Sequence, residues 1–221
     1  MLLWQGASYD PCSPFPTSNV SLAGEKLETC RFRHPAPFRK GFGVTTQTLL
    51  EQFLKQAERL DVAVFPHGPT PALKEWLDKI RTATGFQEAW VDPAMENPPP
   101  FLEEALSESG FQSAFPLEPR EIDSSPNVAL GVARADFGLA YSGSLAFIKT
   151  NPLVTLVPAG LLVVLDAKKI LPAYKELFLE LTSSLPAILS LVTGPSQTSD
   201  IEKKLIKGVH GPKWVAILLH D

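Results

Sequence analysis

The chain has 221 residues, of which 44% are apolar, and it carries a formal net charge of −4 with a pI near 5.6. That length suits one large α/β domain or two small ones, and the apolar fraction is sufficient for a substantial core. No apolar run reaches the roughly 18 residues of a membrane span, no secretory signal opens the chain, and the low pI disfavours nucleic-acid binding, so we expect a cytoplasmic protein.

The first half of the chain alternates between predicted helices and strands after a proline-containing segment. Residues 1–43 show no sustained hydrophobic period, which predicts an extended, Pro-rich N-terminal arm, followed by a single domain over 44–221. Apolar residues at helical spacing predict a helix that starts at Thr45 or Thr46. Further predicted elements are a strand at 62–65, a helix opened by Pro71, a strand at 86–91 and an acidic helix at 101–109.

The second half contains the better-defined strands. Runs of aliphatic residues predict strands at 128–133, 145–149, 161–165, 187–192 and 214–219. Residues 136–140 are predicted to form a turn, and 170–181 an amphipathic helix. The alternation predicts an α/β fold with a mostly parallel sheet and helices on both of its faces, in three layers.

The segment after the predicted strand at 187–192 combines a turn with short polar residues. It reads Gly194-Pro195-Ser196-Gln197-Thr198-Ser199-Asp200. Ser, Thr and Asp after a Gly-Pro turn are typical of a helix start, where free N–H groups favour an anion or a capping side chain. Ser196, Thr198 and Asp200 are therefore candidate contacts for an anionic small molecule, or caps with no ligand.

A second motif, Gly208-Val209-His210-Gly211-Pro212, precedes the last predicted strand. His210 is a candidate to orient Ser196 or Asp200, or to meet an anion as imidazolium, and a hydrogen-bonded structural role is the alternative. The histidines show no metal-site spacing, so we expect no metal. Cys12 and Cys30 cannot supply the four thiolates of an ordinary iron–sulfur cluster, and no dinucleotide or P-loop motif occurs, so we expect no cofactor.

The two motifs, in this order and spacing, resemble the LUD (lactate utilization domain) family. A third point of resemblance is Tyr141-Ser142-Gly143-Ser144, where the family commonly shows Glu-Thr-Gly-Thr. Tyr141 replaces the glutamate, and Leu161 stands where the family commonly has a histidine. A carboxylate is thus lost at Tyr141, and Leu161 can neither transfer a proton nor bind a metal.

The resemblance implies a NagB/RpiA/CoA-transferase-like fold and a site in the crevice outside the carboxyl ends of the strands. The candidate ligand-binding residues are Ser142, Gly143, Ser144, Gly194, Ser196, Thr198, Asp200, His210 and Gly211. It also implies an accessory, non-redox subunit in the oxidation of L-lactate to pyruvate, with iron–sulfur oxidoreductase subunits as partners. The alternative is a stand-alone enzyme or binding protein for a phosphorylated or carboxylated small molecule. The sequence does not identify a catalytic residue.

Overall fold

The computed structural model describes residues 45–66, 70–95, 97–114, 128–183, 186–199, 205–208 and 210–220. These residues belong to one compact unit that spans Gly43–Asp221. The predicted arm at 1–43 and the candidate residue Asp200 lie outside the described residues. No helix in the described ranges is long and apolar enough to cross a membrane.

The first half forms the predicted helices and strands, with one strand more. The elements are α1 (Thr46–Arg59), β1 (Ala63–Pro66), α2 (Pro71–Thr84), β2 (Glu88–Val91), α3 (Phe101–Glu108) and β3 (Gln112–Ala114). Both long helices start at a threonine cap, because Thr45 and Thr70 each accept a hydrogen bond from the backbone N–H three residues on. The predicted helix starts are therefore confirmed.

The second half contains more and shorter strands than the hydrophobic pattern predicts. Its elements are β4 (Val128–Arg134), β5 (Phe137–Leu139), β6 (Ser144–Phe147), α4 (Pro152–Leu156), β7 (Gly160–Asp166), β8 (Ile170–Leu171), α5 (Tyr174–Glu180), β9 (Ser190–Val192), β10 (Gln197–Ser199), β11 (Leu205–Lys207) and β12 (Trp214–His220).

Six strands form an all-parallel sheet in the order β1-β12-β7-β4-β2-β3. Alternate residues of β7 face opposite cores: Leu161 packs in a cluster with Phe53 of α1, and Leu162 packs in a cluster with Leu77 of α2. Every residue from 161 to 165 is fully buried, as expected for a central parallel strand. The predicted α/β fold with helices on both faces of a mostly parallel sheet is confirmed.

A second sheet has the strand order β8-β5-β6-β9. Along the chain, β5 and β6 follow β4, and β8 follows β7. The second sheet corrects two predictions. The turn predicted at 136–140 contains β5, whose pairing with β6 is extended by the Asp136 N–H donating to Ala146 O at 2.9 Å. The helix predicted at 170–181 starts only at Tyr174, because Pro172 disfavours helical geometry at Leu171 and leaves it to pair with β5.

The helix start predicted at Ser196 is also wrong. Residues Gln197–Ser199 form β10, which pairs antiparallel with β11. Serine and threonine side chains compete for backbone hydrogen bonds and so weaken a helix, whereas the strand ladder satisfies the same groups. Within residues 196–199 there is therefore no helix start whose dipole could favour an anion.

Candidate functional site

Four hydroxyl groups meet between the turn after β5, the first residue of α5 and the residue after β9. The Ser144 Oγ is 2.8 Å from the Ser142 Oγ, 2.7 Å from the Tyr174 Oη and 2.7 Å from the Thr193 Oγ1. Ser144 is fully buried. Because a hydroxyl donates one hydrogen bond and accepts two, these three neighbours saturate Ser144. We call these four residues the hydroxyl cluster.

The hydroxyl cluster changes the acidity of Tyr174. Its hydrogen bond with Ser144 is the largest cause that lowers the pKa of the phenol below the usual value of 10.0. Partial burial raises the pKa, and hydrogen bonds with Ser142 and Thr193 lower it further. Hydrogen bonds to the charged form favour ionisation, so Tyr174 gives up its proton more readily than an exposed tyrosine does.

Two of the predicted glycines pack against the same residue at the end of α1. Gly143 and Gly194 have φ values of 70° and 78°, in the left-handed region that favours glycine. A Cβ atom on Gly143 would lie 2.9 Å from the Leu60 Cδ1, and one on Gly194 would lie 3.1 Å from the Leu60 Cβ. Since Leu60 stands three residues before β1 begins, the two signature turns meet beside the amino end of β1. The two turns were expected in the crevice outside the carboxyl ends of the strands, which is at the opposite end of the sheet.

The second motif holds the segment after Gly194 against the start of β12. The Ser196 N–H donates to Pro212 O at 2.8 Å, and the Gly208 N–H donates to Ser196 O at 2.9 Å. A Cβ atom on Gly211 would lie 3.2 Å from the Ser196 Cβ, which is a tight contact. His210 and Thr198 are exposed. The structure thus brings Ser196 and Gly211 together, one turn away from the hydroxyl cluster.

The two positions where the chain departs from the LUD pattern lie outside the hydroxyl cluster. Tyr141 is 71% exposed, and only its backbone is fixed, by an N–H donated to Pro172 O at 2.9 Å. Leu161 is fully buried in β7 and packs in the core with Phe53. The leucine at 161 therefore has a packing role in this chain.

One cavity, which we call the large cavity, lies at the amino ends of β1 and β12 and is lined by residues of α1 and α2. Its volume is about 550 Å³, a size that suits a small-molecule ligand. The walls carry the indoles Trp76 and Trp214 and the charged side chains Glu58, Asp61, Lys79 and Lys213. Lys213 directly follows the second motif, and its Nζ lies 4.8 Å from the centre of the Trp214 ring. Within the described ranges, no group of three or more His, Cys, Asp or Glu side chains is placed to hold a metal ion.

Sequence reasoning missed two members of the hydroxyl cluster, Tyr174 and Thr193. They are 30 and 49 residues from Ser144 along the chain, a separation that hydrophobic periodicity does not bridge. Thr193 belongs to the stretch that resembles the LUD motif but is not among the candidate ligand-binding residues. Tyr174 lies inside the helix predicted at 170–181, and the amphipathic pattern gives no signal for its phenol.

Comparison with known proteins gives one matching family and several relatives. Residues 122–220 match the model of the LUD domain. The chain is 30% identical over 102 residues to lactate utilization protein C of Halalkalibacterium halodurans, which is 42% of this chain and 44% of that protein. It is 32% identical over 101 residues to lactate utilization protein C of Macrococcus caseolyticus, again 42% of this chain and 44% of the relative. The match therefore spans less than half the length of these curated relatives.

Among solved structures, a DUF162 family protein from Deinococcus radiodurans is similar, with a TM-score of 0.54 and 17% sequence identity. The similarity covers 80% of this chain and 99% of that one. At this identity the likeness concerns the fold, and it agrees with the parallel sheet and flanking helices described above.

Proposed function

From the LUD domain at residues 122–220, we propose that this protein acts in L-lactate utilization. It works as an accessory subunit without a redox centre, beside iron–sulfur oxidoreductase subunits that convert L-lactate to pyruvate. The observation that carries this proposal is the identity of about 30% to lactate utilization protein C from two organisms.

The chemistry of the chain supports an accessory role. With two cysteines in its sequence, the chain cannot hold an ordinary four-thiolate cluster, so the electrons of lactate oxidation have to pass through partner proteins. Ser144 meets three other hydroxyl groups in the described part of the chain, and a serine nucleophile instead needs a base such as histidine beside it. The hydroxyl cluster is thus suited to fixing turns, with Tyr174 as its most acidic member.

A gene deletion tests the role in lactate utilization. We expect the deletion strain to grow normally on a sugar and poorly on L-lactate, and the wild-type gene to restore growth. Normal growth of the deletion strain on L-lactate, in a host without a second lactate pathway, would refute the proposal. Complementation with His210→Ala then measures the contribution of the exposed imidazole, since this change leaves the buried core intact.

Affinity purification tests the accessory role separately. A tagged chain expressed at its natural level should recover iron–sulfur proteins, seen as a visible absorbance band and as bound iron in the eluate. Recovery of the chain alone, from cells that need it for growth on L-lactate, would contradict the accessory role and leave the pathway assignment standing.

The large cavity favours a second candidate function, a stand-alone enzyme or binding protein for a phosphorylated or carboxylated small molecule. Lys79 and Lys213 supply positive charge for such a group, and the indoles Trp76 and Trp214 supply an apolar wall. Quenching of tryptophan fluorescence by a sugar phosphate, lost in Lys213→Gln, would support this candidate. Unchanged fluorescence up to millimolar ligand would count against it.

A further inference from the structure

A smaller cavity lies at the carboxyl ends of β2 and β4, on the opposite edge of the main sheet from the large cavity. Its volume is about 170 Å³. β2 and β4 are adjacent and parallel, but the chain leaves β2 toward β3 at the sheet edge and leaves β4 toward β7 on the other side. The connections after two neighbouring strands therefore diverge, which is the arrangement where open α/β sheets bind ligands. We call this cavity the switch-point pocket.

One wall of the switch-point pocket is Asp92, the first residue after β2. Its N–H extends the sheet by donating to Val132 O at 2.9 Å, and its Oδ1 accepts from the Ala94 N–H at 3.2 Å. The residue is only 2% exposed. Its second oxygen, Oδ2, is buried and has no donor among the described residues. A buried carboxylate oxygen without a donor is costly, so a ligand group that donates to this atom would remove that cost.

The facing wall is Arg134, the last residue of β4. Its Nη2 donates to Asn97 O at 2.8 Å, which fixes the guanidinium over the pocket. Its Nε is buried and has no acceptor among the described residues. Lys149 adds a second positive charge at the rim, and the Thr150 hydroxyl donates to Arg134 O at 3.3 Å, which holds the end of β4 in place. Asp136 also lines the pocket, and its Oδ2 accepts from the Ile148 N–H at 2.7 Å. The pocket therefore presents one unfilled acceptor and one unfilled donor, among two carboxylates and two cationic side chains.

We propose that the switch-point pocket binds a small carboxylate that also carries a hydroxyl group. The ligand carboxylate accepts from the Arg134 Nε and faces Lys149, while the ligand hydroxyl donates to the Asp92 Oδ2. A simple anion would leave the Asp92 Oδ2 without a donor, and a simple alcohol would bring no carboxylate oxygen to the Arg134 Nε. The volume is below the roughly 300–1,000 Å³ of drug-sized ligand pockets, so the ligand has only a few heavy atoms.

L-Lactate belongs to this class of ligand and is the natural probe. The ligand class rests on the groups of the pocket itself, whereas the choice of L-lactate rests on the proposed function. Propionate is the matched control, because it has the same carbon chain and carboxylate but lacks the hydroxyl.

Calorimetric titration of the full chain with both probes tests the proposal. We expect saturable binding of L-lactate and at least about tenfold weaker binding of propionate, since the Asp92 Oδ2 then has no donor. Asp92→Asn should remove the preference for L-lactate by placing an amide donor where the acceptor was. Arg134→Gln should weaken both probes at least about tenfold. Equal affinity for the two probes, or no binding of L-lactate, would overturn the proposal.

Two further variants keep the test decisive. Lys149→Gln lies at the exposed rim and leaves the fold intact, so it replaces Arg134→Gln if that variant unfolds, with an expected loss of about threefold or more. Lys79→Gln in the large cavity should leave L-lactate binding unchanged. If Lys79→Gln abolishes L-lactate binding, L-lactate binds in the large cavity and the proposal is overturned. If L-lactate binds but the gene deletion grows normally on L-lactate, the proposed function alone fails. If the deletion strain cannot grow and L-lactate does not bind, the pocket proposal alone fails.

Discussion

Replacing Gly143 by alanine tests how tightly the signature turn after β5 packs against α1. Gly143 has φ 70° and Gly85, at the end of α2, has φ 73°, so the two glycines adopt the same left-handed conformation. Each also donates one backbone hydrogen bond, to Leu139 O at 2.8 Å and to Arg81 O at 2.9 Å respectively. They differ in their surroundings, since a Cβ on Gly85 would meet no atom within 4 Å. Gly85→Ala is therefore a matched control.

The structure sets the expected difference between the two variants. Alanine in the left-handed region costs about 1–2 kcal/mol, and the reduced freedom of the unfolded chain returns about 0.4–1 kcal/mol of that. Gly85→Ala should therefore lower the free energy of unfolding by about 1 kcal/mol. At Gly143 the new Cβ lies 2.9 Å from the Leu60 Cδ1 and 3.0 Å from the Gln56 Cβ, so overpacking adds about 1–3 kcal/mol.

Urea unfolding followed by tryptophan fluorescence and by circular dichroism measures both variants. The transition midpoint of Gly143→Ala should fall clearly below that of Gly85→Ala, with an unchanged slope. Equal midpoints would show that the turn and the end of α1 separate at little cost, and the packing of the signature turn on Leu60 would then not explain its glycine.

Three other predictions follow from the same region and from β4. Ser144→Ala should lower the free energy of unfolding by about 1–3 kcal/mol, because it removes the hydroxyl that three other hydroxyl groups contact. Ser142 is half-buried, so Ser142→Ala should lower the free energy of unfolding by less. Equal losses for the two variants in urea unfolding would contradict this. The pKa of Tyr174 in the folded chain is below 10.0, so between that pKa and 10.0 the unfolded chain holds more protons than the folded chain and the free energy of unfolding rises with pH. Tyrosinate absorbance should show that one tyrosine ionises at a lower pH than the others. Tyr174→Phe should remove both effects. Gly131→Ala should lower the free energy of unfolding by at least about 2 kcal/mol, because its Cβ would meet the Val154 carbonyl oxygen where α4 crosses β4. A thermal melt measures this change, and an unshifted melting temperature would contradict the close approach of α4 to β4.

The sequence predicts the parts of the fold that rest on local signals. The threonine caps and the helical spacing of apolar residues locate α1 and α2, and the uninterrupted aliphatic run at 161–165 identifies a central strand. These signals work because each element buries a continuous face and the pattern of that face is written in neighbouring residues.

The failures share one physical cause, the pairing of short segments with a partner strand. β5 and β8 have only three and two residues; β8 pairs with β5, and β5 also pairs with β6. Ser196 and its neighbours carry the composition of a helix start, yet pairing of β10 with β11 decides their conformation. In such short strands the partner across the ladder outweighs the local preference.

The amino ends and the carboxyl ends of the strands of the main sheet carry different kinds of residue. The glycines that carry the resemblance to the LUD domain, Gly143, Gly194 and Gly211, meet near the amino end of β1, and a Cβ atom on each would lie 2.9–3.2 Å from a neighbouring side chain. A motif of this kind reports close backbone packing, which explains why it indicates the family more directly than it indicates a reaction. Two of the buried polar atoms without a partner in the described residues, Asp92 Oδ2 and Arg134 Nε, line one pocket at the carboxyl ends of β2 and β4 and belong to no motif. Because buried polar groups without partners are costly, a ligand that completed both would stabilise the site, and a search for a ligand of this protein should begin there.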